Sequence, residues 1–227
     1  MEITYLGHSC FKIATNGHNI IFDPFISPNE LAQEVDVDSI KADYILLSHA
    51  HADHVADVEK VYNNNEATLI SNWEIVTWYQ NQKNFERGHP MNYGGKWEFD
   101  FGTVKMVQAV HSSSFPDGTY GGNPAGFVIQ SEGKTFYYAG DTALTLDMKL
   151  LQEEFSIDFA FMPIGDNFTM DIYAALKAAD FVGTSKVIGM HYDTFPYIKI
   201  DHEQAKKVAG EKKKELILLD IGEKINL

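Results

Sequence analysis

The segment Ser48-His49-Ala50-His51-Ala52-Asp53-His54 constrains this chain more than any other. It follows the apolar run Ala42–Leu47 and places three imidazoles and one carboxylate within six residues. Imidazole nitrogen and carboxylate oxygen are the ligands that zinc and similar divalent cations prefer. A buried strand fixes the start of such a loop, and the helix-like stretch Val55–Tyr62 fixes its end. His49 and His51 can then aim at one point, and Asp53 and His54 at a second point nearby.

Three more polar residues share the position of His49, just beyond an apolar run. His111 follows Val104–Val110, Asp141 follows Phe136–Gly140, and His191 follows Val187–Met190. Strand ends in layered α/β folds gather on one edge, where ligands bind. Each of these residues alone reads as a turn or cap. Together they predict convergence of five histidines and two aspartates into a metal centre.

The rest of the chain supplies the strands this requires. Ile3–Leu6, Phe11–Ala14 and Asn19–Phe22 read as strands, with Asn16-Gly17 as a hairpin turn. Ala67–Ser71 reads as a strand with a helix behind it over Trp73–Gln82, and Lys83–Gly95 as a loop. Lys96–Phe101 with Thr103–Val110, and Ala125–Gln130 with Thr135–Ala139, read as two hairpins. Ile157–Met162 and Lys186–Met190 read as strands, each preceded by a helical segment. Asp201 caps a last helix, and Leu216–Leu219 forms a final strand. No linker or repeat divides residues 1–227, which predicts a single domain of packed sheets with helices outside.

Charge removes some functions. The net charge of −14, with only 18 Lys and Arg, disfavours a phosphate backbone, so no nucleic-acid partner is expected. The lysines Lys206, Lys207, Lys212, Lys213 and Lys214 are interspersed with Glu and read as a solvated face. One cysteine, Cys10, permits no intrachain disulfide. There is no leader-like N-terminus and no apolar run long enough for a membrane span. The expectation is a cytoplasmic protein without a membrane partner.

His-x-His-x-Asp-His followed by spaced His, Asp and His resembles the metallo-β-lactamase superfamily over essentially the whole chain. The resemblance implies an α/β (α+β) four-layer αββα sandwich with the site at one edge. It implies two divalent metal ions, one held by His49, His51 and His111, the other by Asp53, His54 and His191, with Asp141 bridging. Zinc suits this set best, and manganese, iron or nickel can occupy the same ligands. Leu6–Phe11, Gly122–Gly126, Pro163–Met170 and His191–Pro196 are similar to a family of metal-dependent hydrolases that itself resembles the L-ascorbate-6-phosphate lactonases.

The implied activity is hydrolysis of a small ester, lactone or phosphorylated metabolite by a metal-bridging hydroxide. A phosphodiesterase or nuclease of the same superfamily and a non-catalytic metal-binding module are the alternatives. The expected partner is a small-molecule substrate, with a homo-oligomer suggested by analogy. Asp53 is a candidate proton relay, and His8 and Tyr192 are candidate donors to the leaving group. Asp23 suits either a turn before Pro24 or an acceptor that orients a ligand histidine. Asn167 and Thr169 are weaker candidates for substrate contact. His18, His89 and His202 read as structural or surface residues, and Cys10 as a buried apolar residue.

Overall fold

A computed structural model describes residues 1–227. The chain opens with the meander β1 (Glu2–Gly7), β2 (Cys10–Thr15) and β3 (His18–Phe22). Asn16 and Gly17 both adopt positive φ, 49° and 78°, as a two-residue hairpin requires. Next come β4 (Tyr44–Leu46), α1 (Ala52–Val55), α2 (Val58–Asn65), β5 (Thr68–Asn72), α3 (Trp73–Lys83) and β6 (Gly88–Met91).

A second set of strands follows: β7 (Lys96–Phe99), β8 (Gly102–Gln108), β9 (Ala125–Ser131) and β10 (Lys134–Tyr138). The chain then alternates α4 (Met148–Glu154), β11 (Phe159–Pro163), α5 (Ile172–Val182), β12 (Lys186–Met190), α6 (His202–Glu211) and β13 (Glu215–Ile217). It ends in β14 (Lys224–Asn226). One sheet has the order β14-β1-β2-β3-β4-β5-β6, and the other β13-β12-β11-β10-β9-β8-β7.

Alternation along the strands explains the four layers. Phe11, Ile13, Ile20, Phe22, Leu46 and Ile70 face the second sheet and join the main core. Their neighbours Cys10, Ile21, Ile45, Leu47 and Leu69 face the other way, into a second core under α1–α3. Strands buried on both faces need continuous apolar runs rather than polar alternation. On the second sheet, α5 packs on β11 and β12, and α6 on β13. Two mixed sheets flanked by helices are therefore the fold, as the resemblance implies. No helix is long and apolar enough to cross a membrane.

Three local readings need correction. Val55–Tyr62 is not one helix, because Asp57 leaves helical geometry between α1 and α2. Its carboxylate instead accepts from Ile26 N, Ser27 N and Ser27 Oγ at 2.7, 2.8 and 2.5 Å. The break anchors the Phe25 loop. The stretch Lys83–Gly95 is not all loop, since β6 pairs in parallel with β5. Pro90 is tolerated there because β6 is an edge strand. Finally, Leu216–Leu219 is not the last strand. The strand lies at Glu215–Ile217, and β14 follows it to pair with β1 through Glu2–Asn226, Ile3–Ile225 and Thr4–Lys224.

Candidate metal centre

Strand direction gathers the site. β1 and β3 lie antiparallel to β2, β4 is parallel to β3, and β10, β11 and β12 are mutually parallel. β8 runs the same way as β10, because both are antiparallel to β9. The C-terminal ends of these strands release His8, Asp23, the Ser48–His54 loop, His111, Asp141 and His191 along one edge of the sandwich. Three of these residues adopt left-handed backbone without being glycine: His8 (φ 56°), Asp23 (φ 42°) and His191 (φ 56°). Such strain persists only where the surroundings fix it. Here His191 N–H donates to the His8 carbonyl at 3.0 Å and clasps one sheet edge to the other.

Two ligand groups result. His49, His51 and His111 bring one atom each within 4.8 Å of one another, and so do His8, Asp53, His54 and His191. Asp141 lies between them. Its Oδ2 is 3.9, 3.4, 3.7 and 2.9 Å from Nε2 of His49, His54, His111 and His191. Asp53 Oδ2 is 3.8 Å from Nε2 of both His54 and His191. Ligands about 2.1 Å from a tetrahedral cation stand about 3.4 Å apart, so these spacings suit a shared metal. Nε2 of His54 and Oδ1 of Asp141 are buried without a hydrogen-bond partner. Unmet polar atoms of this kind cost about 1–3 kcal/mol each, and cation binding would relieve that.

Hydrogen bonds set the imidazole tautomers. Asp23, fully buried, accepts from Ser48 N and Ser48 Oγ at 2.8 and 2.6 Å, from Tyr138 Oη at 2.8 Å, and from His54 Nδ1 at 2.8 Å. Ser48 thus spends its proton on Asp23, and its oxygen accepts from His49 Nδ1 at 2.9 Å. Both histidines thus turn Nε2 toward the centre, where that of His49 stands 3.0 Å from His51 Nδ1 and that of His54 stands 3.4 Å from Asp141 Oδ2. The acceptor role of Asp23 is therefore realised. Ser48 and Tyr138 complete the network, and no sequence periodicity points to either.

The electrostatics follow from burial and opposite charge. Burial keeps His49, His51 and His111 below the usual imidazole range, so they are neutral donors at neutral pH. Burial also pulls on His54 and His191, but carboxylates outweigh it. Asp141 and Asp23 raise His54, and Asp141 raises His191 to about 9. Desolvation opposes ionisation of Asp141, yet His191 and His54 hold it well below the usual carboxylate range. The same balance, led by His54, lowers Asp53.

The other candidates separate. His8 is buried, with Nε2 3.1 Å from Asp53 Oδ2 and Nδ1 3.0 Å from Thr194 Oγ1. Burial and His191 lower it to about 4, so it is neutral and donates to Asp53. It touches the ligand carboxylate rather than the cleft. Tyr192 is buried, and its hydroxyl lies 3.5 Å from the Leu219 carbonyl. It does not line the cleft, so a donor role for it is corrected. Asn167 and Thr169 do not line it either, whereas Phe168 between them does. Cys10 is buried. His202 pairs with Asp193 at 2.6 Å on the surface, and His89 packs against Trp97 and Phe99.

Above the ligands lies a cleft of about 730 Å³. Phe25, Phe168, Phe195 and Tyr197 wall it, with His51, Asp53, His111, Asp141 and His191 at its base. Neither lysine nor arginine lines it.

Gly140 sets the aim of Asp141. It adopts φ +62°, and a Cβ there would meet Ala125 O at 2.5 Å and Ser48 Cβ at 2.8 Å. Gly140→Ala is expected to cost roughly 1–3 kcal/mol of stability. A shift of about 1 Å in Asp141 would also slow turnover by about a hundredfold. A denaturant melt and a kcat/KM within twofold of wild type would refute this.

Fold and site together describe a metallohydrolase built on two packed sheets, and comparison with known proteins agrees. The sequence pattern of the beta-lactamase superfamily domain matches residues 2–191. A UPF0173 metal-dependent hydrolase of Flavobacterium johnsoniae is 55% identical over 227 residues, covering 100% of both chains. Another, from Methylacidiphilum infernorum, is 45% identical over 227 residues, again covering 100% of both. Igni18, a metallo hydrolase of Ignicoccus hospitalis, superposes with a TM-score of 0.86 at 31% identity, over 99% of this chain and 97% of its own. The chain belongs to the metallo-β-lactamase superfamily and, within it, to the UPF0173 family of metal-dependent hydrolases.

Proposed function

We propose that this enzyme is a dinuclear hydrolase that cleaves a small, uncharged ester or lactone. The observation that carries the reading is the pair of ligand groups joined by Asp141 beneath a cleft with no cationic side chain. A phosphorylated metabolite or a nucleic acid would bring charge beyond the reacting centre, and nothing in the cleft wall is suited to hold it. The phosphorylated lactones of the family resemblance are therefore disfavoured relative to neutral ones.

His49, His51 and His111 would hold one cation in this scheme and Asp53, His54 and His191 the other, with Asp141 placed between the two groups to serve both. The donor set favours zinc. When bound, the cations supply Lewis-acid polarisation and an activated water. The chain does the rest. Asp23 and Ser48 fix the tautomers of His49 and His54. His8 donates to Asp53 Oδ2 and so fixes that carboxylate, which also meets the cleft, in its ionised form and orientation. Phe25, Phe168 and Phe195 exclude bulk water, which strengthens each interaction at the base.

Hydrolysis of an uncharged lactone and of bis(p-nitrophenyl) phosphate, side by side, tests the reaction class. Lactone opening without phosphodiester cleavage is expected, and the reverse pattern refutes it. Loading has its own signature. His191 titrates at about 9 without metal, so at pH 7.5 it carries a proton that an entering cation must displace. Calorimetry in buffers of different ionisation enthalpy is expected to show proton release at pH 7.5 from both His191 and the raised His54, with the His191 share lost as pH rises through about 9. The same shift works on apoprotein stability. The His191 contribution is full below about pH 6.5 and is lost as pH rises through about 9. A buffer-independent enthalpy at pH 7.5 would contradict the assignment.

A further inference from the structure

A second concavity of about 450 Å³ adjoins the metal cleft, and Phe25, Pro28 and Ala52 line both. From Ala52 it follows α1 past Val55 and Ala56 to Glu59. The opposite wall is aromatic, with Trp78 and Phe115 stacked at a centroid distance of 3.9 Å. Ala52 and Ala56 are exposed and leave the floor open. Lys83 closes the far end. Its Nζ lies 2.7 Å from Glu59 Oε1 and 5.7 Å from the Trp78 ring centroid.

We propose that this groove is a substrate subsite for an unbranched acyl chain of medium length whose carbonyl lies at the metal centre. The inference rests on the ester or lactone reading above and names the kind of acyl group. Three features carry it. The groove is continuous with the cleft through shared walls. Its walls are mostly apolar, with Asp117 beside Pro116 the one charged group apart from the Lys83–Glu59 pair, and its floor is made of small side chains, as an alkyl chain needs. The Lys83–Glu59 pair ends the apolar path and so limits chain length.

Calorimetry on the metal-loaded protein tests the groove apart from turnover, with butanoate and octanoate as probes. Each buried methylene is worth roughly a three- to fourfold gain in affinity, so octanoate is expected to bind at least about tenfold more tightly than butanoate. Ala56→Trp, at an exposed position, would fill the floor and collapse that ratio toward one. Equal affinities for the two acids in the wild type, or a full octanoate advantage surviving in Ala56→Trp, would overturn the proposal. The two readings fail separately. Ester cleavage with no chain-length preference in binding removes the subsite alone. An octanoate preference with no cleavage of any ester or lactone removes the reaction alone.

Discussion

Asp141→Ala is expected to abolish hydrolysis while leaving a folded protein. Asp141 Oδ2 lies within 4 Å of Nε2 of His49 and His111 in one ligand group and of His54 and His191 in the other. Losing it removes the link between the two groups as well as one ligand of each. A cation that polarises substrate contributes several kcal/mol, and about 4 kcal/mol corresponds to roughly a thousandfold in kcat/KM. On the proposed two-ion reading, metal analysis after dialysis would show bound metal fall by at least one equivalent relative to wild type. Full metal content with activity within tenfold of wild type would mean that Asp141 is not shared.

Asp23→Ala is expected to damage the enzyme without touching metal or substrate. The carboxylate accepts four hydrogen bonds in full burial. Removing it strands the Ser48 amide and the His54 Nδ1–H together, while the Tyr138 hydroxyl keeps the Ser9 carbonyl as acceptor. A broken buried network of this kind costs about 3–5 kcal/mol, read from a denaturant melt. Metal affinity should also drop about 10- to 100-fold in a chelator titration, because His54 and His49 lose the bonds that fix their tautomers. Asp23→Asn keeps the volume but turns a donor toward donors, so it should fall between wild type and alanine. A stable Asp23→Ala protein with unchanged metal affinity would show that the tautomers are set elsewhere.

The candidate ligand clusters were legible in the sequence because their chemistry is written locally. His49, His51, Asp53 and His54 lie within one loop, and His111, Asp141 and His191 each follow an apolar run. Strand direction did the rest, and it follows from short turns such as Asn16-Gly17 and Glu132-Gly133. The residues that stay hidden act across long separations. Tyr138 reaches Asp23 over 115 positions, and Thr194 reaches His8 over 186. No local pattern encodes either pair. Tyr192 misled for the opposite reason. It stands beside a ligand, but His191 adopts left-handed backbone and sends the next side chain into the core. The break at Asp57 was invisible because an Asp in a helix pattern looks solvated until its partners, Ile26 and Ser27, are known. Edge strands were missed at β6 and β14, where short runs and Pro90 carry little hydrophobic pattern.

The pairing of β1 with β14 means that order in the sheet is not order of synthesis. β1 leaves the ribosome long before its neighbour β14, which follows every strand of the opposite sheet. Until then the backbone groups of Glu2–Thr4 on that side have no protein partner. A nascent chain must therefore keep an open, adhesive edge for almost the whole of translation. Shortening the protein by its last few residues would make that transient condition permanent and give each molecule a strand to offer to the next.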